Sequence, residues 1–263
     1  MCRLLGWVSS SPRTLGEVIG ASELSAFTNL SRLHDDGWGT AALDDAGKAP
    51  RVTKSTLPAF RDGLFRETVG LKSRACIVHF RKASSGLAVE ARNTHPFLYE
   101  DVAFAHNGSI LPQSRLDEIV PDYWRHHLVG TTDSERYFMA IMAEVAQGMT
   151  LAQAINATVT RLTRDFEVSS LNAMLVTPDT LYVVNSHDPA QSPGPEMEPD
   201  GQPYYQLRMR VAADSLVVAS SGFAQRDDDG WETLSNHTLL TVDVGTLSTE
   251  QSALGSRDFV SGH

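Results

Sequence analysis

Four stretches of this sequence carry side groups able to do chemistry, and the first is its beginning, Met1-Cys2-Arg3-Leu4-Leu5-Gly6-Trp7. Removal of Met1 leaves Cys2 as the first residue, with a thiol nucleophile and a free α-amino group on one residue. In small peptides a thiol titrates near ~8.5 and an α-amino group near ~7.7–8.0, so the amine can act as base for its own thiol at neutral pH. The plainer reading is a cysteine that happens to follow the start, in a terminus that frays. Arg81 closes the apolar run Ala75-Cys76-Ile77-Val78-His79-Phe80. A guanidinium there is costly to desolvate without an anion, which is either a protein carboxylate or a substrate carboxylate gripped by its fork. Asn107-Gly108 follows the strand-like Val102-Ala103-Phe104-Ala105. By default it is a hairpin turn; the sharper reading gives a developing oxyanion the Asn107 amide and an unobstructed Gly108 N–H. Asp133, in Gly130-Thr131-Thr132-Asp133-Ser134-Glu135, opens a helix, where either it or Thr132 serves as N-cap.

The elements that must position these groups follow from pattern. Leu4 to Trp7 reads as a short buried strand that anchors the terminus. Apolar spacing predicts helices over 14–30 and 58–69, then over 132–146 and 151–166. Strands are expected at 40–43, 51–53, 75–81, 102–105, 205–211, 216–219 and 239–244, with a hairpin of 171–176 and 180–184 turning at Pro178-Asp179. Asp35-Asp36-Gly37, Asp44 to Gly47 and 93–97 read as turns, and Asp227-Asp228-Asp229 as a solvated acidic turn. Residues 188–202, rich in Pro, Ser and Glu, read as an exposed loop, and about 250–263 as a loose tail. No repeat or interdomain linker interrupts the sequence, so residues 2–263 are expected to form a single domain.

Composition removes several classes. The 263 residues carry 22 Lys and Arg against 32 Asp and Glu, a net charge of −10, which disfavours nucleic-acid and anionic-membrane partners. The start has no signal-peptide pattern and no long apolar span follows, so a cytoplasmic protein is expected. Two cysteines make no disulfide framework, and Cys76 reads as an inert core residue. The nine histidines show no ligand-spaced pair on one helix, so neither metal nor cofactor is expected.

Taken together, the motifs resemble the class II glutamine amidotransferases, the family with an N-terminal cysteine nucleophile. Five signatures come in order: Cys2-Arg3, His34-Asp35-Asp36-Gly37-Trp38-Gly39, His79-Phe80-Arg81-Lys82-Ala83-Ser84, His106-Asn107-Gly108 and Thr132-Asp133-Ser134-Glu135. Asn93-Thr94-His95-Pro96-Phe97 is similar to the branch that consists of the amidotransferase domain alone. The motifs span about residues 2–145. The resemblance implies an α+β fold of the N-terminal nucleophile hydrolase type, a four-layer αββα sandwich of two antiparallel sheets flanked by helices. It implies that Cys2 attacks the glutamine side-chain amide and forms a γ-glutamyl thioester, with Asn107 and Gly108 as the oxyanion hole. Arg81 then matches the residue that grips the substrate α-carboxylate, Asp133 the partner of its α-ammonium, and Ser84 a hydroxyl beside the substrate, where many members have threonine. Lys82 and Ser85 depart from the Trp and His of better-known members. The expected ligand is glutamine or another γ-glutamyl small molecule, as in small-thiol biosynthesis. An ammonia-accepting synthase and self-association are the protein partners compatible with the family. The competing class is a non-catalytic subunit that binds glutamine or holds a synthase.

Overall fold

The computed structural model describes residues 2–43, 49–84, 86–191, 193–194, 197–198 and 201–255. In sequence order these give β1 (Arg3–Arg13), α1 (Leu15–Ile19), α2 (Ala21–Asn29), β2 (Trp38–Ala42), β3 (Arg51–Ser55), α3 (Gly63–Val69), β4 (Ser73–Phe80), β5 (Phe97–Tyr99), β6 (Val102–Asn107) and β7 (Ile110–Leu111). There follow α4 (Asp133–Ala146), α5 (Leu151–Asp165), β8 (Glu167–Val168), β9 (Asn172–Val176), β10 (Thr180–Asn185), β11 (Leu207–Ala212), β12 (Ser215–Ser220), β13 (Trp231–Thr233), β14 (Thr238–Asp243) and β15 (Thr249–Ala253).

Two antiparallel sheets hold most of the strands. One is seven-stranded in the order β13-β11-β12-β1-β4-β2-β3, the other six-stranded in the order β15-β14-β10-β9-β6-β5. Strand alternation sorts their side chains into layers. Leu4 and Val8 of β1 meet Met174 and Val176 of β9 in the core between the sheets. Leu5 and Trp7, one step out of phase, pack outward with Leu15 and Ile19 of α1, Phe27 of α2 and Phe65 of α3. Ala173 and Leu175 of β9 face away from the intersheet core, into a layer with Phe138 and Ile141 of α4 and Ile155 and Leu162 of α5. The αββα sandwich is therefore helices, sheet, sheet, helices. Where the sheets cross, Gly6 leaves room that a Cβ would lose, since it would stand 2.8 Å from Met174 Sδ.

Several boundaries differ from the sequence reading. The helix expected over 14–30 breaks at Gly20, whose φ of +104° no helix accommodates, so α1 and α2 meet there and a 3₁₀ turn at Leu30–Arg32 finishes the segment. The helix expected over 58–69 likewise divides: Ala59–Arg61 is a 3₁₀ turn, and α3 starts afresh with Asp62 as N-cap, its side chain accepting from Leu64 N. β1 is much longer than its four apolar residues, because its polar second half continues the ladder beside β12 and β4. Phe97, read as the end of a turn, instead opens β5, which pairs with β6. Residues 250–253, read as part of a loose tail, form most of the edge strand β15, held by backbone hydrogen bonds to β14 although their side chains are exposed. The turn at 44–47, Ser85, parts of 188–202 and residues 256–263 lie outside the described residues.

No helix among the described residues is long and apolar enough to cross a membrane.

Candidate active site

β1 and β4 pair with Arg3 opposite Phe80, so Cys2 and Arg81 sit together where the two strands end. Cys2 is buried, and its Sγ lies 3.5 Å from Lys82 N and 3.7 Å from Lys82 O. β6 of the facing sheet ends at Asn107, and the Cys2 N–H donates to Asn107 Oδ1 at 2.7 Å, a bond from one sheet to the other. That bond fixes the Asn107 amide, leaving Nδ2 on the other side, buried and without a hydrogen-bond partner among the described residues. Gly108 then passes so close to the 170 carbonyl that a Cβ would stand 1.9 Å from Ser170 O. Glycine is required there by the approach of two backbones, not by the hairpin that Asn-Gly suggests.

Arg81 is 3% exposed. Its backbone is held by Gly37 O, which accepts from Arg81 N at 2.8 Å, and by Asp36 N, which donates to Arg81 O at 3.1 Å. In the guanidinium, Nη2 donates to Ala88 O at 3.1 Å, while Nη1 is buried with no partner among the described residues. Burial lowers the guanidinium's pKa below its ordinary value, with Cys2 and Asp36 opposing. Among the described residues no carboxylate forms an ion pair with Arg81, so the protein-carboxylate alternative of the sequence reading is not realised.

Thr132, not Asp133, caps α4, its hydroxyl accepting from Glu135 N at 3.1 Å. Asp133 is free for another use. Its Oδ2 accepts from Ile110 N at 2.9 Å, and its Oδ1 from Ser134 N at 2.8 Å. Ser134 Oγ stands 2.9 Å from His106 Nδ1, and His106 Nε2 stands 3.0 Å from Ser170 O. A carbonyl can only accept, so Nε2 carries the hydrogen and Nδ1 is the lone-pair side. Burial lowers the His106 pKa, against the pull of Asp133, and the neutral ring thereby ties Ser134 and Asp133 to the strand that carries Asn107.

Ser84 lies exposed on the loop after β4. Cys2, Arg81, Ser84, Gly108 and Asp133 all border one small pocket of about 30 Å³, the space of roughly one water. Asn107 joins them through its bond to Cys2. Cys76 stands apart in the outer layer of the seven-stranded sheet, its thiol pushed up to about 12 by burial.

Several contributors escape the sequence reading. Asp36 braces the loop after β4, accepting from Ala83 N at 2.8 Å; its place in the second motif is the available signal. Tyr204 donates its hydroxyl to Cys2 O at 2.8 Å while Arg3 stacks on its ring at 4.1 Å. It lies more than two hundred residues from Cys2, and no local pattern marks it. His34 Nε2 is 3.2 Å from the same hydroxyl, and burial, with Arg3 second, pushes this histidine down to about 3. His95 also borders the pocket, with both ring nitrogens buried and without a hydrogen-bond partner among the described residues; burial holds it neutral, its pKa well below the ordinary value.

Against known proteins, the family model described as glutamine amidotransferases class-II matches residues 1–193. An uncharacterized protein of Methanocaldococcus jannaschii is 33% identical over 152 residues, 55% of this chain and 39% of that one. The gamma-glutamyl-hercynylcysteine sulfoxide hydrolase of Mycolicibacterium smegmatis is 28% identical over 119 residues, 42% of this chain and 52% of that one. The matches thus span about half or less of these relatives' lengths. Among solved structures, a glutamine aminotransferase class-II domain protein from Silicibacter pomeroyi superposes with a TM-score of 0.66 at 18% identity, covering 97% of this chain and 100% of the other. The glutamine phosphoribosylpyrophosphate amidotransferase of B. subtilis superposes with a TM-score of 0.65 at 17% identity, covering 98% of this chain and 50% of that one. At such identities the likeness is one of fold.

Proposed function

The chain belongs to the class II glutamine amidotransferases, and from that premise we propose that it hydrolyses the side-chain amide of a glutaminyl or γ-glutamyl substrate with Cys2 as nucleophile. The observation that carries this reading is the Asn107 amide: one end is spent on Cys2 N and the other is a buried donor with no partner among the described residues. A buried donor left unsatisfied costs about 1–3 kcal/mol, and a substrate oxyanion beside Cys2 would satisfy it.

In the mechanism, Cys2 as first residue uses its own α-amine, through a water, to take the thiol proton as Sγ attacks the carboxamide carbon. Asn107 Nδ2 and the Gly108 N–H donate to the oxyanion. Collapse of the tetrahedral intermediate breaks the C–N bond, and the nitrogen leaves as ammonia with the proton returned by the amine. Water then attacks the γ-glutamyl thioester, releasing the carboxylic acid and restoring the thiol. Arg81, through its unpartnered Nη1, grips the α-carboxylate, Asp133 faces the α-amino group, and the Ser84 hydroxyl bonds beside them. Ammonia passes to solvent or to a separate synthase. The hydrolase named among the relatives favours a second reading, in which the amide nitrogen carries a substituent.

Intact mass before and after a diazo-ketone glutamine analogue tests the proposal. Loss of Met1 and one adduct on Cys2, with no turnover of glutamine by Cys2→Ala, is the expected result. A retained Met1, label on Cys76 alone, or an active Cys2→Ala would replace this reading with that of a non-catalytic binding subunit.

A further inference from the structure

Once Met1 is removed, Cys2 has a peptide bond on one side only, so little in the covalent structure aims its thiol. The strand ladder does not aim it either, because β1 begins at Arg3 and its pairing with β4 ends at Arg3 opposite Phe80. The buried Cys2 carbonyl must find a partner elsewhere. That partner is the Tyr204 hydroxyl, which donates to Cys2 O at 2.8 Å.

Tyr204 lies past residue 193, where the family match ends, and it is 1% exposed. Its own backbone is tied to the start of β1. Tyr204 O accepts from Arg3 Nη1 and from Ser221 Oγ, each at 3.2 Å, and the Arg3 guanidinium is drawn to the face of its ring. Burial raises the phenol's pKa well above its ordinary value, with Arg3 opposing, so the hydroxyl keeps its proton and remains a donor. That proton has two acceptors within reach. His34 Nδ1 stands 2.8 Å from Leu30 O, which can only accept, so Nδ1 carries the hydrogen and Nε2, 3.2 Å from the Tyr204 oxygen, offers a lone pair. Cys2 O is the nearer of the two.

The two ends of residue 2 are thus held from opposite sides. Asn107, on the six-stranded sheet, accepts from Cys2 N at 2.7 Å, and Tyr204, just ahead of β11 in the seven-stranded sheet, holds the carbonyl. Rotation about the Cα–C bond is arrested, and χ1 is the torsion left to aim Sγ, with Lys82 N 3.5 Å from it. Tyr204 borders neither the small pocket at Cys2 nor the cavity of about 610 Å³ that shares Lys82, Ala83 and Asp133 with it, so it stands behind the nucleophile and away from the space open to a substrate.

We propose that Tyr204 is a positioning residue for the nucleophile: by holding the Cys2 carbonyl it sets the direction of the thiol and the α-amine, and it acts on the bond-forming step without contacting substrate. The proposal rests on the catalytic reading above.

The experiment follows labelling of Cys2 by the diazo-ketone glutamine analogue over a range of concentrations, which separates reversible binding from bond formation. Tyr204→Phe should lower the bond-forming rate constant by at least about tenfold, within the scale on which small misplacements of reacting groups act, and leave the binding constant within about twofold. Turnover of glutamine or γ-glutamylmethylamide should divide in the same way, with kcat reduced and KM little changed. Tyr205→Phe removes a neighbouring hydroxyl that bonds Ser169 Oγ at 3.1 Å, and it should leave both constants within about twofold. If Tyr204→Phe does not fold, 4-fluorophenylalanine incorporated at position 204 fills the place of the hydroxyl with no proton to donate and carries the same expectation. An unchanged bond-forming rate, an equal loss in binding and bond formation, or an equal loss in Tyr205→Phe overturns the role of Tyr204 while leaving Cys2 as the nucleophile. A parent enzyme that takes no label on Cys2 and turns over neither substrate overturns the catalytic reading, and the role of Tyr204 with it.

Discussion

Replacing Asn107 by leucine separates the two things its amide does. The residue is fully buried, and leucine nearly matches its size. The change removes Oδ1, which accepts from Cys2 N at 2.7 Å, and so orphans a buried N–H at a cost of about 1–3 kcal/mol. It also removes Nδ2, a buried donor that has no partner among the described residues, and relieves a penalty of the same ~1–3 kcal/mol. These terms oppose one another, so the folded state should lose little. Activity has no such compensation. Loss of one preorganised oxyanion donor costs on the order of 2.7–4 kcal/mol, or about 10²–10³ in kcat. The assay is ammonia release beside thermal unfolding of the same preparation, with circular dichroism to confirm the fold. A variant that unfolds within a few degrees of the parent while kcat falls by about a hundredfold or more supports the assignment. Retention of more than a tenth of the activity would show that Nδ2 faces no developing charge, and an unfolded variant would show that the Cys2 bond dominates.

Other changes test the neighbouring groups. Arg81→Lys keeps the charge but loses the fork, so KM for the substrate should rise about 10- to 100-fold, the worth of one charge-assisted bond, with kcat changed less; an unaltered KM would free Arg81 from the α-carboxylate. Gly108→Ala drives a Cβ to 1.9 Å from Ser170 O, and overpacking of this kind costs at least about 1–3 kcal/mol; a variant with unchanged melting would show that the two backbones separate freely. For pH, His34 is pushed from its ordinary 6.5 down to about 3 by burial. Between those values the unfolded protein binds a proton that the folded protein refuses, so stability falls as pH drops. At pH 5 this one histidine contributes about 2 kcal/mol of loss, and His79, His95 and His106 are lowered in the same direction. The urea midpoint should therefore decline steadily from pH 7.5 to 5, and His34→Gln should flatten that slope; a level profile would contradict neutral burial.

The sequence is most readable where a short run of residues does its work locally. Cys2, Arg81, Asn107, Gly108 and Asp133 each lie at the end or beginning of an element, and the strands and helix that carry them are patterned strongly enough to place. What brings them together is not local. The bond from Cys2 to Asn107 joins two sheets, and Tyr204 reaches Cys2 O from far along the sequence. The orphaned nitrogens of Arg81, Asn107 and His95 are likewise invisible to pattern, since whether a polar atom finds a partner is decided only by packing. Boundaries failed for identifiable reasons. Gly20 lies within an apolar spacing that otherwise runs through it, Asp62 caps a helix in mid-pattern, and β5 and β13 are three-residue strands too short to show a period.

The position of β1 has a further consequence. It is an interior strand, paired on one side with β12 and on the other with β4, yet the residue just before it is the proposed reagent. Most small folds tolerate circular permutation, because their ends lie on the surface and can be rejoined while new ones open at a loop tip. Here any permutant that joins a peptide bond to residue 2 turns the α-amine of the proposed mechanism into an ordinary peptide amide, and it is expected to be inactive. On the proposed mechanism, the direction of the polypeptide is thus part of the chemistry. Inserted modules are better placed at the opposite edge, beside the solvent-facing strand β15, where added residues leave the amine untouched.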